Sequence, residues 1–204
     1  DRLRSRGLGD VYKRQMYDMM IPYVKNQAKF KDIEYYLFDE NPYIDEPYGP
    51  NWKDMQELFF KAANIPDERI HIMTSNDWQD YDNKIRNAGG IDVMVIGLGY
   101  DGHFCGNCPR CTPFDSYTYC IDFKKKQAVN PDYGDRPRQP HTLTMGPKSL
   151  MRVKHLVMIV NGKEKAEIFK RFLDEPVNQD VPATILKLHP NFCLLYTSPS
   201  PRDR

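Results

Sequence analysis

The chain has 204 residues, with 29 Lys and Arg against 28 Asp and Glu, which gives a formal net charge of +1. This balance provides no broad basic surface, so we expect neither nucleic acid nor an anionic membrane as a partner. The sequence contains no run of about 18 apolar residues, so we expect no membrane-spanning helix. The length suits a single domain with a sizeable core.

The two ends of the chain are related to each other through the DNA that could encode them. Residues 5–15 and 193–203 can be encoded by opposite strands of one DNA string, and that string resembles a sequencing-library adapter. We therefore predict that residues 1–15 and 193–204 are translated adapter. A single domain is expected over 16–192, incomplete at both ends, and its 22 basic and 25 acidic residues give a charge of −3.

Short apolar runs alternate with amphipathic segments along this domain. In chain order, the patterns predict a strand at 33–38, a helix at 52–63, a strand at 70–73, a helix at 77–90, strands at 91–99 and 155–162, and a helix at 163–174. Strands that alternate with helices indicate βαβ units. We therefore predict an α/β fold with a Rossmann-like parallel sheet and helices on both of its faces. Residues 122–141 read as one long irregular stretch.

Three of these predicted strands end in polar groups. The uninterrupted apolar run at 91–99 is typical of a strand buried on both faces. It leads into residues 97–103, while Asp39 follows the first strand and Lys165 follows the last one. Ligands of parallel sheets bind beyond the carboxyl ends of the strands, so all three groups are expected at one edge.

Each of these groups has a functional and an ordinary interpretation. Gly97 and Gly99 allow the backbone to approach a ligand closely, although glycines after a strand are also common in turns. Asp101 is spaced to orient the imidazole of His103 for proton transfer, or His103 could simply cap the loop. Asp39 at a strand end is a natural general base, or an ordinary turn residue. Lys165 could offer a positive charge to a phosphate, although a lone lysine is expected on a solvated face.

A group of cysteines raises the alternative of a metal site. Three of them recur at two-residue intervals: Cys105, Cys108 and Cys111. This spacing opens some iron–sulfur sites, and a zinc site could add His103 or Cys120. The fourth cysteine of the usual iron–sulfur spacing is absent, so we predict no metal. Few and bunched cysteines do not form a disulfide framework, which favours a reducing cytoplasm as the location.

Taken together, several segments resemble the glucosamine-6-phosphate isomerase/deaminase and 6-phosphogluconolactonase superfamily. The resemblance rests on "LFDEN" (37–41), "GGIDVMVIGLGYDGHFCGN" (89–107), "TLTMGPKSL" (142–150), "VMIVNGKEKA" (157–166) and "VPATILKLHPN" (181–191). The Gly-x-Gly-x-Asp-Gly-His block is the most specific of these motifs. The segments "GGID" and "TMG" resemble the deaminase-like branch in particular.

The resemblance implies an enzyme of carbohydrate metabolism that acts on a 6-phosphorylated sugar or amino sugar without a cofactor. Asp39 matches the carboxylate that moves a proton between C1 and C2 of the sugar. His103 matches the residue that assists ring opening, and Asp101 matches its partner. Lys165 matches a lysine that contacts the substrate phosphate, with Gly97 and Gly99 in the substrate-binding loop. A homo-oligomer is left open.

The sequence departs from the deaminase pattern at one position of the relay. Cys108 stands where the resemblance places a glutamate that completes an Asp-His-Glu relay. Two alternatives therefore stay open beside the isomerase/deaminase: a 6-phosphogluconolactonase-like hydrolase, and a non-catalytic sensor of sugar phosphates. The family arginine that helps to hold the substrate is not fixed by a motif, with Arg136 and Arg138 in the corresponding region.

Overall fold

The computed structural model describes residues 8–122 and 138–196, with side chains from residue 14 onward. The strands in these ranges are β1 Tyr35–Tyr36, β2 Asp39–Glu40, β3 Ile70–His71, β4 Val93–Gly97, β5 Tyr119–Asp122, β6 His141–Thr144, β7 His155–Val160 and β8 Phe192–Tyr196. The α-helices are α1 Leu8–Asn26, α2 Pro50–Met55, α3 Tyr81–Asn87, α4 Pro147–Leu150 and α5 Ala166–Asp174. A π-helical turn, Gln56–Phe60, extends α2.

Two of the sheets are parallel, as the alternation of strands and helices predicted. Strand β7 is the centre of a three-stranded sheet and pairs in parallel with β4 and β8. Strand β1 pairs in parallel with β3 in a second sheet. Helix α5 connects β7 to β8 as the crossover that a parallel pair requires. The predicted α/β class with parallel sheets and helices is confirmed.

The third sheet was not predicted. Strand β6 pairs antiparallel with β2 on one side and with β5 on the other. The predicted strand at 33–38 therefore shortens to β1, and the chain then enters a different sheet at Asp39. The irregular stretch predicted at 122–141 begins inside β5 and ends inside β6, while its middle, residues 123–137, lies outside the described residues.

The main hydrophobic core lies between the parallel sheet and its helices. It contains Met94 and Ile96 of β4, and it reaches Ile168 and Phe172 of α5. Burial along β4 alternates, because Val95 between these two is half-buried and Val93 is 58% exposed. The two faces of this strand are thus unequally covered, in contrast to the predicted burial on both faces.

The structure carries regular elements across both predicted domain boundaries. Helix α1 begins at Leu8, before residue 16, and β8 continues from Phe192 to Tyr196 beside β7. The adapter origin of the terminal segments stays a prediction. Among the described residues, no helix is both long and apolar enough to span a bilayer.

Candidate active site

The loop after β4 is a tight turn that glycines make possible. The N–H of Gly99 donates to the carbonyl of His103 at 2.8 Å, and the N–H of Gly102 donates to the carbonyl of Gly99 at 3.1 Å. Gly102 has a φ of +88°, which favours glycine. A Cβ on Gly99 would lie 2.1 Å from Nδ1 of His103. The imidazole of His103 therefore occupies the space that a side chain at position 99 would fill.

Asp101 fixes that imidazole from the same turn. Its Oδ1 accepts the backbone N–H of His103 at 3.0 Å and lies 2.6 Å from ring atom Nδ1. Partial burial tends to raise the pKa of Asp101, but the hydrogen bonds and charge of His103 outweigh burial, and the pKa is lowered overall. Asp101 thus remains a carboxylate, and with Nδ1 engaged, proton transfer to a ligand falls to Nε2.

Lys165 approaches the same loop from the end of β7. It is only 9% exposed, and its ammonium group donates to the carbonyl of Leu98. Its Nζ also lies 5.2 Å from the ring centroid of Tyr100. The expectation of a solvated lysine is therefore wrong. A lysine ammonium group is a compact point charge, so Lys165 held at this loop is suited to contact an anionic group of a ligand.

Asp39 is held by a contact that the sequence did not reveal. The side-chain amide of Asn51 donates to Oδ1 of Asp39 at 2.9 Å and to the carbonyl of Asp39 at 3.0 Å. The neighbouring Glu40 is 1% exposed and accepts the backbone N–H groups of Asn51 and Trp52, at 3.1 and 2.8 Å. The carboxylate predicted as a base is therefore held by Asn51, and the main chain of Asn51 is held in turn by Glu40.

The strand of Asp39 and the loop of His103 meet on β6. Asp39 is paired directly with Thr144, so the two side chains share one face of the antiparallel sheet. On that face, Oγ1 of Thr144 accepts the N–H of Gly106 at 2.9 Å. The side chain of Asn107 adds a bond to the carbonyl of Met145 at 2.9 Å. Asp39 and Gly106 therefore lie on the same face of this sheet, on either side of Thr144's contacts.

This convergence has a different origin from the one predicted. The sequence predicted that Asp39 and the loop lie together at the common edge of one parallel sheet. In the structure, Asp39 pairs with Thr144 of the antiparallel strand β6, and the side chain of Thr144 also binds Gly106 of the loop. Gly97 and Lys165 do lie at the ends of paired parallel strands, β4 and β7, as predicted.

The cysteines take part in local turns. The thiol of Cys108 donates to the carbonyl of Gly106 at 3.3 Å, and the thiol of Cys111 donates to the carbonyl of Cys108 at 3.5 Å. None of the five cysteines forms a disulfide. Over residues 8–122 and 138–196, no group of three or more His, Cys, Asp or Glu is arranged to hold a metal ion. The metal alternative gains no support.

Of the two arginines predicted near the substrate, Arg138 lies within the described residues. Arg136 lies outside the described residues. Arg138 forms an antiparallel bridge with Tyr43, and the adjacent Gln139 donates its N–H to the carbonyl of Pro42 at 2.7 Å. Arg138 therefore lies beside the segment that follows Asp39, and its role in binding stays a prediction.

Comparisons with known proteins identify the family of this chain. The family model described as glucosamine-6-phosphate isomerases/6-phosphogluconolactonase matches residues 11–193. A glucosamine-6-phosphate deaminase of Lysinibacillus sphaericus is 31% identical, over 88% of this chain and 79% of the relative. One of Clostridium acetobutylicum is 32% identical, over 85% of this chain and 76% of the relative.

Solved structures show the same fold. A monomeric glucosamine-6-phosphate deaminase superposes with a TM-score of 0.78 at 24% identity, covering 94% of this chain and 83% of its own. The 6-phosphogluconolactonase of Thermotoga maritima gives 0.67 at 18% identity, covering 88% and 79%. The chain belongs to the glucosamine-6-phosphate isomerase/6-phosphogluconolactonase family.

Proposed function

We propose that this protein is an amino-sugar-phosphate isomerase/deaminase that converts glucosamine 6-phosphate to a ketose phosphate and ammonia. The observation that supports the proposal is that Thr144 pairs with Asp39 and also binds Gly106, three residues after the His103 that Asp101 orients. The names of the 30%-identical relatives support the same reaction. The reaction combines a proton transfer between C1 and C2 with hydrolysis at C2, where water adds and ammonia leaves, so no organic cofactor is required.

The roles of the residues follow from what this reaction demands. Interconversion of an aldose and a ketose requires a base above two adjacent carbons and an acid at the ring oxygen. Asp39 is the base that moves the proton between C1 and C2. His103 delivers a proton to the ring oxygen, and Asp101 maintains its orientation and stabilises its charged form. Both groups act on one hexose because β6 joins their elements.

The phosphate is bound away from the reacting carbons. The turn at Gly97 and Gly99 brings backbone close to the ligand, and Lys165 contributes a positive charge at the same loop. Binding energy from a remote phosphate can be used to hold the sugar in its reactive position. We therefore assign Gly97, Gly99 and Lys165 to substrate binding.

A lactonase is the less favoured activity. The relatives that share about 30% of their residues with this chain are named as deaminases, whereas the lactonase structures fall below 25% identity and support the fold alone. Cys108 in place of the relay glutamate limits ring opening to the Asp101–His103 pair.

We further expect a cytoplasmic protein, and either a monomer or a homo-oligomer is compatible with this site.

The test is a product assay on the full chain. With glucosamine 6-phosphate, the wild type should release ammonia and fructose 6-phosphate, and Asp39→Asn and His103→Asn should each lose most of this turnover. Asp92→Asn is a matched control, because the side chain of Asp92 is exposed and forms an ion pair with the surface residue Lys154. Acid release from 6-phosphogluconolactone without ammonia formation would favour the lactonase. Thermal stabilisation by sugar phosphates without any turnover would favour the sensor.

A further inference from the structure

One asparagine makes both of its amide hydrogen bonds to the proposed base. The side chain of Asn51 donates to Oδ1 of Asp39 at 2.9 Å and to the main-chain carbonyl of Asp39 at 3.0 Å. Both partners are acceptors, so the nitrogen of the amide must face them. A bond to one carboxylate oxygen fixes the plane of the group and thereby the direction of the other oxygen.

Glu40 in turn holds the main chain of Asn51. Its Oε1 accepts the N–H of Asn51 at 3.1 Å and that of Asn41 at 2.8 Å, and its Oε2 accepts the N–H of Trp52 at 2.8 Å. These bonds cap the first turn of α2, where the preceding Gly49 has no side chain to do so. Adjacent residues 39 and 40 are thus bound reciprocally to residue 51.

The close approach of the two segments depends on glycine at 49. A Cβ there would lie 2.0 Å from the carbonyl oxygen of Asn41 and 2.7 Å from Oε1 of Glu40. The first turn of α2 can therefore rest against β2 only because position 49 has no side chain. Glu40 is 1% exposed, so water does not compete for its three bonds. Glu40 therefore holds the main chain of Asn51 and Trp52 against β2.

From this arrangement we propose that Asn51 is a positioning residue for proton transfer by Asp39, with Glu40 as its support. The inference rests on the proposed function. A base that serves two adjacent carbons must keep one oxygen aligned with both, and a misplacement of about 1 Å can cost about a hundredfold in rate. A neutral amide is suited to this task, since it orients the carboxylate without neutralising its charge.

The test compares Asn51→Leu with Asn83→Leu in the full chain. Asn83 is a matched control, because its amide also donates to an aspartate, Asp80, but in an exposed position. For glucosamine 6-phosphate we expect N51L to lower kcat by about 10- to 100-fold with KM within about twofold, because orientation is lost and phosphate binding is kept. The isotope effect with substrate deuterated at C2 should rise. N83L should match the wild type in each value.

Two further variants separate positioning from a structural role. Asn51→Ala tests the same loss with a smaller side chain, and Asn51→Gln retains the amide and should recover part of kcat. Three results would overturn the inference and leave the proposed function intact. They are a wild-type kcat in N51L and N51A, a rise in KM alone, and loss of folded structure in both variants. A wild type inactive on every sugar phosphate would overturn both.

Discussion

Replacement of Glu40 by glutamine should change how stability depends on pH. Burial raises the pKa of Glu40 from 4.5 to about 7. The backbone N–H groups of Trp52, Asn41 and Asn51 act in the opposite direction and lower this pKa. The charge of Asp39 makes a smaller contribution that raises it. The folded protein therefore holds a proton that the unfolded chain releases at lower pH. The stabilisation is complete below about pH 4.5 and is lost as pH rises to about 7.

The magnitude follows from the size of that difference. Each pKa unit corresponds to about 1.4 kcal/mol, so the rise from 4.5 to about 7 amounts to about 3 kcal/mol of the free energy of unfolding. Glu40 is 1% exposed, so solvent screening leaves this value largely intact. Glutamine stays neutral throughout, and the stability of Glu40→Gln relative to the wild type should increase by about this amount between about pH 5 and about pH 8.

Urea unfolding of both proteins at a series of pH values measures the difference directly. A constant offset between the two is expected in addition, because the glutamine NH₂ replaces an acceptor of Glu40. Glu57→Gln is the control, since Glu57 is an exposed glutamate in the turn that follows α2. A difference between Glu40→Gln and the wild type that does not vary with pH would refute this reasoning.

Three further substitutions test the loop after β4. Gly99→Ala places a methyl group against His103 and should lower kcat by about a hundredfold, and steady-state kinetics with wild-type values would contradict this. Lys165→Met should raise KM for the phosphorylated sugar by about tenfold or more, but should not affect weak turnover of the unphosphorylated sugar. Cys108→Glu should raise kcat on ring-closed glucosamine 6-phosphate, and unchanged turnover would reject Cys108 as the interrupted relay position.

The elements that could be predicted are those whose sequence determines them locally. Strands β4 and β7 arise from long apolar runs, and α5 follows from its helical periodicity. The turn from Gly99 to His103 is likewise local, because both bonds of Asp101 fall within two residues. The spacing of the motif was therefore sufficient to predict the contact between Asp101 and His103.

The rest of the site depends on contacts between distant residues. Strand β2 consists of Asp39 and Glu40, residue types that are depleted in strands, and it forms only because β6 pairs with it. Asn51 could not be recognised, because its role depends on the turn at Gly49 that brings α2 against β2. The resemblance assigned Lys165 to substrate binding, but its position alone favoured solvent, where a lone lysine usually lies; in the structure it is buried and binds the carbonyl of Leu98.

The most direct measurement of the central claim is the exchange of solvent deuterium into the sugar. The full-length wild type, incubated in D₂O with glucosamine 6-phosphate, should incorporate deuterium at C1 or C2, as followed by NMR of the sugar protons. Asp39→Asn should abolish this exchange while binding of the phosphorylated sugar persists. Exchange at the wild-type rate in Asp39→Asn would contradict the assignment of Asp39 as the base of this site.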